Sequence, residues 1–116
     1  MPCEIHDARE LVGQLDAVRV TELDRYTKFD VEGRTFGYLW EPTCTVGLKQ
    51  TIAEQRALVA ERPHVFEVQF TAYGFGWVVV RLDGVERDEL AELVFEAWRL
   101  SAPTALRDAR ADRLPV

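Results

Sequence analysis

The spacing of apolar residues changes period along this chain, and each change constrains the fold. Ala8, Leu11, Val12, Leu15 and Val18 recur at intervals of three and four. That is the repeat of one helical face, so an amphipathic helix is expected over residues 6–18. From about Arg25 the period becomes two. Thr27, Phe29 and Val31 alternate with Tyr26, Lys28 and Asp30, and Phe36, Tyr38 and Trp40 alternate with Thr35, Gly37 and Leu39. Cys44, Val46 and Leu48 alternate with Thr45, Gly47 and Lys49. Side chains along a strand point to opposite faces in turn, so three strands are expected here. Glu32-Gly33 supplies a tight turn between the first two, and Glu41-Pro42 ends the second.

The helical period returns after Lys49. Thr51-Ile52-Ala53-Glu54 has the form of a capping box, in which the Thr hydroxyl accepts from the Glu amide and the Glu carboxylate reaches back. A helix over 52–61 follows, stopped by Pro63. Phe66, Val68 and Phe70 then alternate with Glu67 and Gln69, and residues 71–76 read as a flexible connection. Trp77 to Leu82 is a nearly unbroken apolar run, the mark of a strand covered on both faces in the interior of a sheet. Leu90, Leu93, Val94, Ala97 and Trp98 form a stripe on a helix over 86–100. A short last helix over 104–113 is expected to turn Ala105, Leu106 and Ala109 inward. The order is helix, three strands, helix, two strands, then one or two helices. Strands that arrive in runs predict an α+β fold, with an antiparallel sheet of about five strands and helices packed on one face.

At 116 residues the chain is expected to form one domain over 1–116, with a short flexible N-terminus and a C-terminal helix and tail from about residue 104. It has no apolar run long enough to span a bilayer. Residues 1–7 lack the basic start and apolar stretch of a signal peptide. A cytoplasmic protein with two free thiols, Cys3 and Cys44, is therefore expected.

Several chemistries find no support. Cys3, His6, Cys44 and His64 are the only soft metal ligands, and no two pairs among them have finger spacing. Gly74-Phe75-Gly76 leads into a strand and not a helix whose amides could hold phosphate. Neither histidine stands in a nucleophile signature, and Glu89, Glu92 and Glu96 read as a solvated helix face. No enzyme, no metal and no cofactor is the resulting expectation.

Acidic residues outnumber basic ones 20 to 14, a formal net charge of -6. Only a local cluster of cations could then hold a polyanion. Arg34, Lys49 and Arg81, with Lys28, stand on or beside predicted strands and are the candidate phosphate contacts. Phe36, Tyr38 and Trp40 share a predicted strand face, either as a platform for stacking bases or as the inner face of the sheet. The core reading is the simpler one.

An ordered set of segments also resembles the MmcQ/YjbR family, particularly its actinobacterial branch. The resemblance is carried by Val46-Gly47-Leu48-Lys49, Glu54-Gln55-Arg56-Ala57-Leu58, Pro63-His64-Val65-Phe66, Tyr73, Trp77 to Leu82 and Glu89 to Leu93. Its strongest segment is Glu96-Ala97-Trp98-Arg99-Leu100-Ser101-Ala102-Pro103, and Glu32-Gly33-Arg34-Thr35-Phe36 also fits. It implies a secretion-chaperone-like α+β fold of the double-wing type, and with it DNA binding. It implies no cofactor, metal or catalytic residue. Three functional readings stand at this point: a small non-enzymatic domain that binds DNA, a protein-interaction or regulatory module that could self-associate as a homodimer, and a small-molecule pocket lined by the aromatics.

Overall fold

A computed structural model describes residues 1–116. The elements are α1 (Ile5–Gly13), β1 (Val18–Glu22), β2 (Thr27–Val31), β3 (Arg34–Trp40), β4 (Thr45–Thr51), α2 (Ile52–Glu61), β5 (Phe66–Ala72), β6 (Phe75–Arg81), α3 (Arg87–Arg99) and α4 (Thr104–Arg110). The fold is α+β. Six strands form one antiparallel sheet in the order β1-β2-β3-β4-β6-β5. β1 to β4 are a meander. α2 then crosses over to β5, and β6 returns to fill the place between β4 and β5.

Helices cover one face. Two rows of directly paired residues run across the sheet beneath them. One row is Thr27, Leu39, Val46, Val80 and Phe66, every member buried. The other runs from Phe29 through Gly37 and Leu48 to Val78. α3 presses Leu90, Val94, Ala97 and Trp98 onto them, and α1 adds Ala8, Leu11 and Val12. Two buried polar side chains lock the layers. Gln50 donates to the Leu93 carbonyl at 3.1 Å, and the Trp98 indole donates to the Asp16 carbonyl at 2.9 Å. A buried amide or indole left without a partner would cost about 1–3 kcal/mol.

The tight turns follow their sequence. Glu32 and Gly33 have φ of 50° and 78°, and Tyr73 and Gly74 have 52° and 83°. Two successive left-handed residues make the two-residue hairpin whose twist matches the strands it joins. Thr51 caps α2 by accepting from the Glu54 amide at 3.1 Å, which is half of the expected capping box.

Several expectations are corrected. The first helix ends at Gly13 and not Val18, and residues 18–22 form β1, so the sheet has six strands. Val18 continues the apparent helical spacing by coincidence, while Val18 and Val20 alternate with Arg19 and Thr21. β1 is an edge strand, and Val20 remains 47% exposed, so its pattern is weak. Residues 71–76 are not a flexible connection: the strands run up to Tyr73-Gly74 on both sides. In α4, Ala105 and Ala109 face solvent and Arg110 is buried, its guanidinium 5.9 Å from the Trp98 ring and donating to the Gln14 carbonyl at 3.0 Å. The long aliphatic stem and planar head of Arg110 cover the indole better than a methyl group would.

The N-terminus is pinned and not loose. The Cys3 amide donates to the carbonyls of Leu82 and Val85, both at 3.1 Å, and Pro2 bridges to Glu86. Cys3 is buried in the core, whereas Cys44, expected on a buried strand, sits half-buried in the β3–β4 turn with φ of 54°. Burial first, then the nearby Asp7 charge, pushes the Cys3 thiol up to about 11.

The fold therefore favours the neutral thiol. Between pH 9 and 11 the unfolded chain loses this proton before the folded one does. Stability contributed by the buried thiol is complete below about 9 and is lost as pH rises toward 11. We expect the urea midpoint of Cys3→Ala to fall less over this interval than that of the parent. We also expect native Cys44 to react with a thiol reagent at pH 8 well before Cys3, as read by mass spectrometry.

Candidate nucleic-acid interface

The sheet face away from the helices is built by the same register. Lys28, Tyr38, Gly47, Val79 and Glu67 form one continuous row of paired residues on it. Trp40, Thr45 and Arg81 form a second, and Lys49, Trp77 and Phe70 a third. Arg19 and Thr21 of β1 extend the face beside Asp30 and Lys28.

Five aromatic rings cover its middle. Tyr38 stands at the centre, 6.0 Å from Trp40, 5.4 Å from Trp77 and 5.6 Å from Tyr26, and Phe70 stacks on Trp77 at 5.2 Å. The expected stripe Phe36-Tyr38-Trp40 is therefore divided. Phe36 is buried under the helices against Phe29, while Tyr38 and Trp40 are half-buried on the opposite face, and Leu39 is in the core. The cause is a bulge. Phe29 pairs with Gly37 but Asp30 pairs with Thr35, so Phe36 is an extra residue and the alternation slips by one. A second bulge at Gln69 does the same in β5, taking Phe70 to the aromatic face.

Gly47 lets this layer lie flat. A Cβ at Gly47 would stand 3.0 Å from the Trp40 ring and far closer to the Gln69 amide oxygen. Beside it, Trp40, Pro42, Val68 and Val79 wall a cleft of about 460 Å³, with Arg25, Glu67 and Gln69 at its polar rim. The Gln69 amide oxygen is buried against Gly47 with no hydrogen-bond partner.

The three candidate phosphate contacts fall into two places. Arg34 begins β3 at the β2–β3 hairpin, exposed to solvent, and its charge bears on Lys49. Lys49 is only half-exposed: its ammonium donates to the Ser101 hydroxyl at 3.1 Å and lies 4.1 Å from the centre of the Phe75 ring. Burial, reinforced by Arg34, pushes the Lys49 pKa down. Arg81 is exposed at the other end of the sheet, opposite Thr45 and 3.7 Å from Asp83. Four residues of strand separate Lys49 from Thr45, about 13 Å. Lys28 lies on the same face, within 3.8 Å of Asp30.

Charge is unevenly divided between the two sides. The paired rows of the open face hold Arg19, Lys28, Lys49 and Arg81 against Asp30 and Glu67. The helical side holds a groove between α2 and α3 lined by Glu54, Glu89, Glu92 and Glu96. Arg62 takes Glu89 and Arg99 takes Glu96, at 2.7 Å.

Other chemistry-bearing groups are occupied structurally. Ser101, beside Lys49, is fully buried and leaves no room for a substrate at its hydroxyl. Glu4, His6 and Asp7 bring ligand atoms within 4.8 Å of one another, but Glu4 and Asp7 form the capping box of α1 and Asp7 also receives Arg87. His64 is exposed at the entry to β5. Arg25, Gly47 and Gln69 escaped the sequence reading, because only the two bulges and the β3–β4–β6–β5 pairing bring them together.

The family described as YjbR matches residues 15–100. Among curated proteins nothing matches. One solved structure similar to this chain is a Deinococcus radiodurans protein, DR2400, whose domain is described as DUF419. It is 21% identical, covers 94% of this chain and 89% of its own, and has a TM-score of 0.78.

Substituting Gly47→Ala tests the overlay. The added methyl must displace Gln69 and Trp40. We expect a loss of about 1–3 kcal/mol from overpacking, seen in urea unfolding, together with a changed near-UV circular dichroism signal from the displaced indole. A variant with the parent's spectrum and stability would contradict the described packing.

Proposed function

Because the chain belongs to the YjbR family, we propose that this small domain is a non-catalytic binding module that holds DNA across the open face of its sheet. The observation that carries the reading is the division of charge. On a protein of net charge -6, the cations of the sheet surround an aromatic layer while a carboxylate groove occupies the helical side. A polyanion approaching this molecule is repelled by one side and accepted by the other.

Arg34 with Lys49 at one end, and Arg81 at the other, are the phosphate contacts in this reading. Lys49 reaches phosphate only by exchanging its bond to Ser101, so Arg34 and Arg81 supply most of the attraction. The aromatic rings between them supply area and stacking, which duplex backbone contact alone does not use.

Fluorescence anisotropy with labelled DNA at low salt is the test. Affinity should fall steeply with salt, and Arg34→Ala and Arg81→Ala should each reduce the slope of log K against log salt by about 0.7–0.9, the release expected per phosphate contact. No binding of single-stranded or duplex DNA at low salt would overturn the proposal.

One observation favours a second reading, a self-associating interaction module. Val68, Phe70 and Tyr73 of the β5 hairpin are 51%, 39% and 100% exposed along an edge strand, a surface suited to protein contact. A dimeric mass in light scattering, lost on replacing Val68 and Phe70 by Ser, would support it.

A further inference from the structure

We propose that the cleft beside Trp40 is a base-reading subsite that selects thymine in single-stranded DNA, a proposal that rests on the DNA reading above and specifies the strand and base it takes. Three features of the cleft converge on this occupant. The first is its wall. Trp40 reaches over the bare Gly47 backbone, stacked beside Tyr38, and its indole lines the cleft. A flat heterocycle can stack there only if it has left its own helix, so a duplex cannot offer it.

The second feature is the polar rim. A thymine edge presents an acceptor, a donor and an acceptor in order. Its complement is a donor, an acceptor and a donor. Arg25 brings donors, Glu67 an acceptor and Gln69 an amide to the rim, the kinds of group that set requires. Arg25 and Glu67 have no ion-pair partner, while Lys28 and Arg81 nearby stand 3.8 and 3.7 Å from Asp30 and Asp83. The Gln69 oxygen is turned down onto Gly47 and buried, which leaves the nitrogen of the same amide as the group able to face a ligand. Adenine and cytosine carry an exocyclic amine where this rim needs an acceptor.

The third feature separates thymine from uracil. Val79 and Pro42 complete the cleft with apolar surface, a fit for the thymine methyl group. The volume, about 460 Å³, is within the range of small-ligand sites, about 300–1,000 Å³. Phosphates flanking a base seated here meet the cations of the same face, Lys28 and Arg81 among them, so the charge of the strand is matched as well as its base.

The experiment is a titration of the whole protein at low salt, followed by tryptophan fluorescence and by anisotropy. The ligands are short oligothymidylate, oligodeoxyadenylate, oligouridylate and a mixed duplex. Trp98 is buried and Trp77 lies beneath Tyr38 and Phe70, so quenching reports on Trp40. Oligothymidylate should bind about tenfold or more tighter than oligodeoxyadenylate and the duplex, and about fourfold tighter than oligouridylate, the worth of one buried methyl group. Trp40→Leu should weaken thymidylate binding about fivefold or more and abolish the quench. Gln69→Glu, with its fold checked against the parent by near-UV circular dichroism, should erase the preference for thymine over adenine. Equal binding of duplex and oligothymidylate, no base preference, or wild-type behaviour of both variants would overturn the subsite and leave DNA binding standing. Equal binding of uridylate would overturn the assignment to DNA over RNA. Failure of every nucleic acid to bind would overturn the subsite and the DNA reading together.

Discussion

The pairing of β4 with β6 is the joint on which this structure depends. Seven residues, Thr45 to Thr51, pair without interruption with Phe75 to Arg81. It is the only strand contact between the meander β1–β4 and the hairpin β5–β6. Because pairing alternates faces strictly, this one register places Val46 and Leu48 with Val80 and Val78 under the helices, and Lys49, Gly47 and Thr45 with Trp77, Val79 and Arg81 on the other side. A slip of one residue would exchange the two sets. Core and candidate interface are thus fixed by the same hydrogen bonds.

How much of this was legible in the sequence depended on whether the pattern was local. α2 was readable to the residue, because the Thr51 cap and Pro63 bound it chemically. α3 was readable because its stripe is long and regular, and all five of its expected core residues are buried. β1 was not, since a short, exposed edge strand carries little apolar signal and the preceding helical spacing ran into it. The split of Phe36 from Tyr38 and Trp40 was hidden for another reason. A bulge is a mismatch in length between two strands, and one strand's alternation does not record it. The candidate cations were correctly placed on or beside strands, but that Arg34 and Lys49 adjoin while Arg81 stands apart is a property of the sheet order.

The open face has an unusual composition for a surface, and packing explains it. No helix covers this side, so the sheet covers itself with large flat rings that shield the backbone and remain half-wet. Tyr38 shows the balance: burial first, then Tyr26 and Asp30, holds its phenol above the ordinary range, so the ring stays neutral among its neighbours. An aromatic layer of this kind stabilises the sheet with or without a ligand. What sets it apart from a second core is the ring of charges around it and the cleft at Trp40, neither of which the packing requires.

The bulge at Gln69 has a bearing on solubility. β5 is an outer strand with an exposed ladder edge, and its apolar side chains would suit growth by addition of like strands from other molecules. One surplus residue in its middle breaks the even spacing of amide and carbonyl groups on that edge, so an incoming strand could match only short stretches on either side. The irregularity that turns Phe70 toward the aromatic face thereby also acts as a guard against fibrillar stacking.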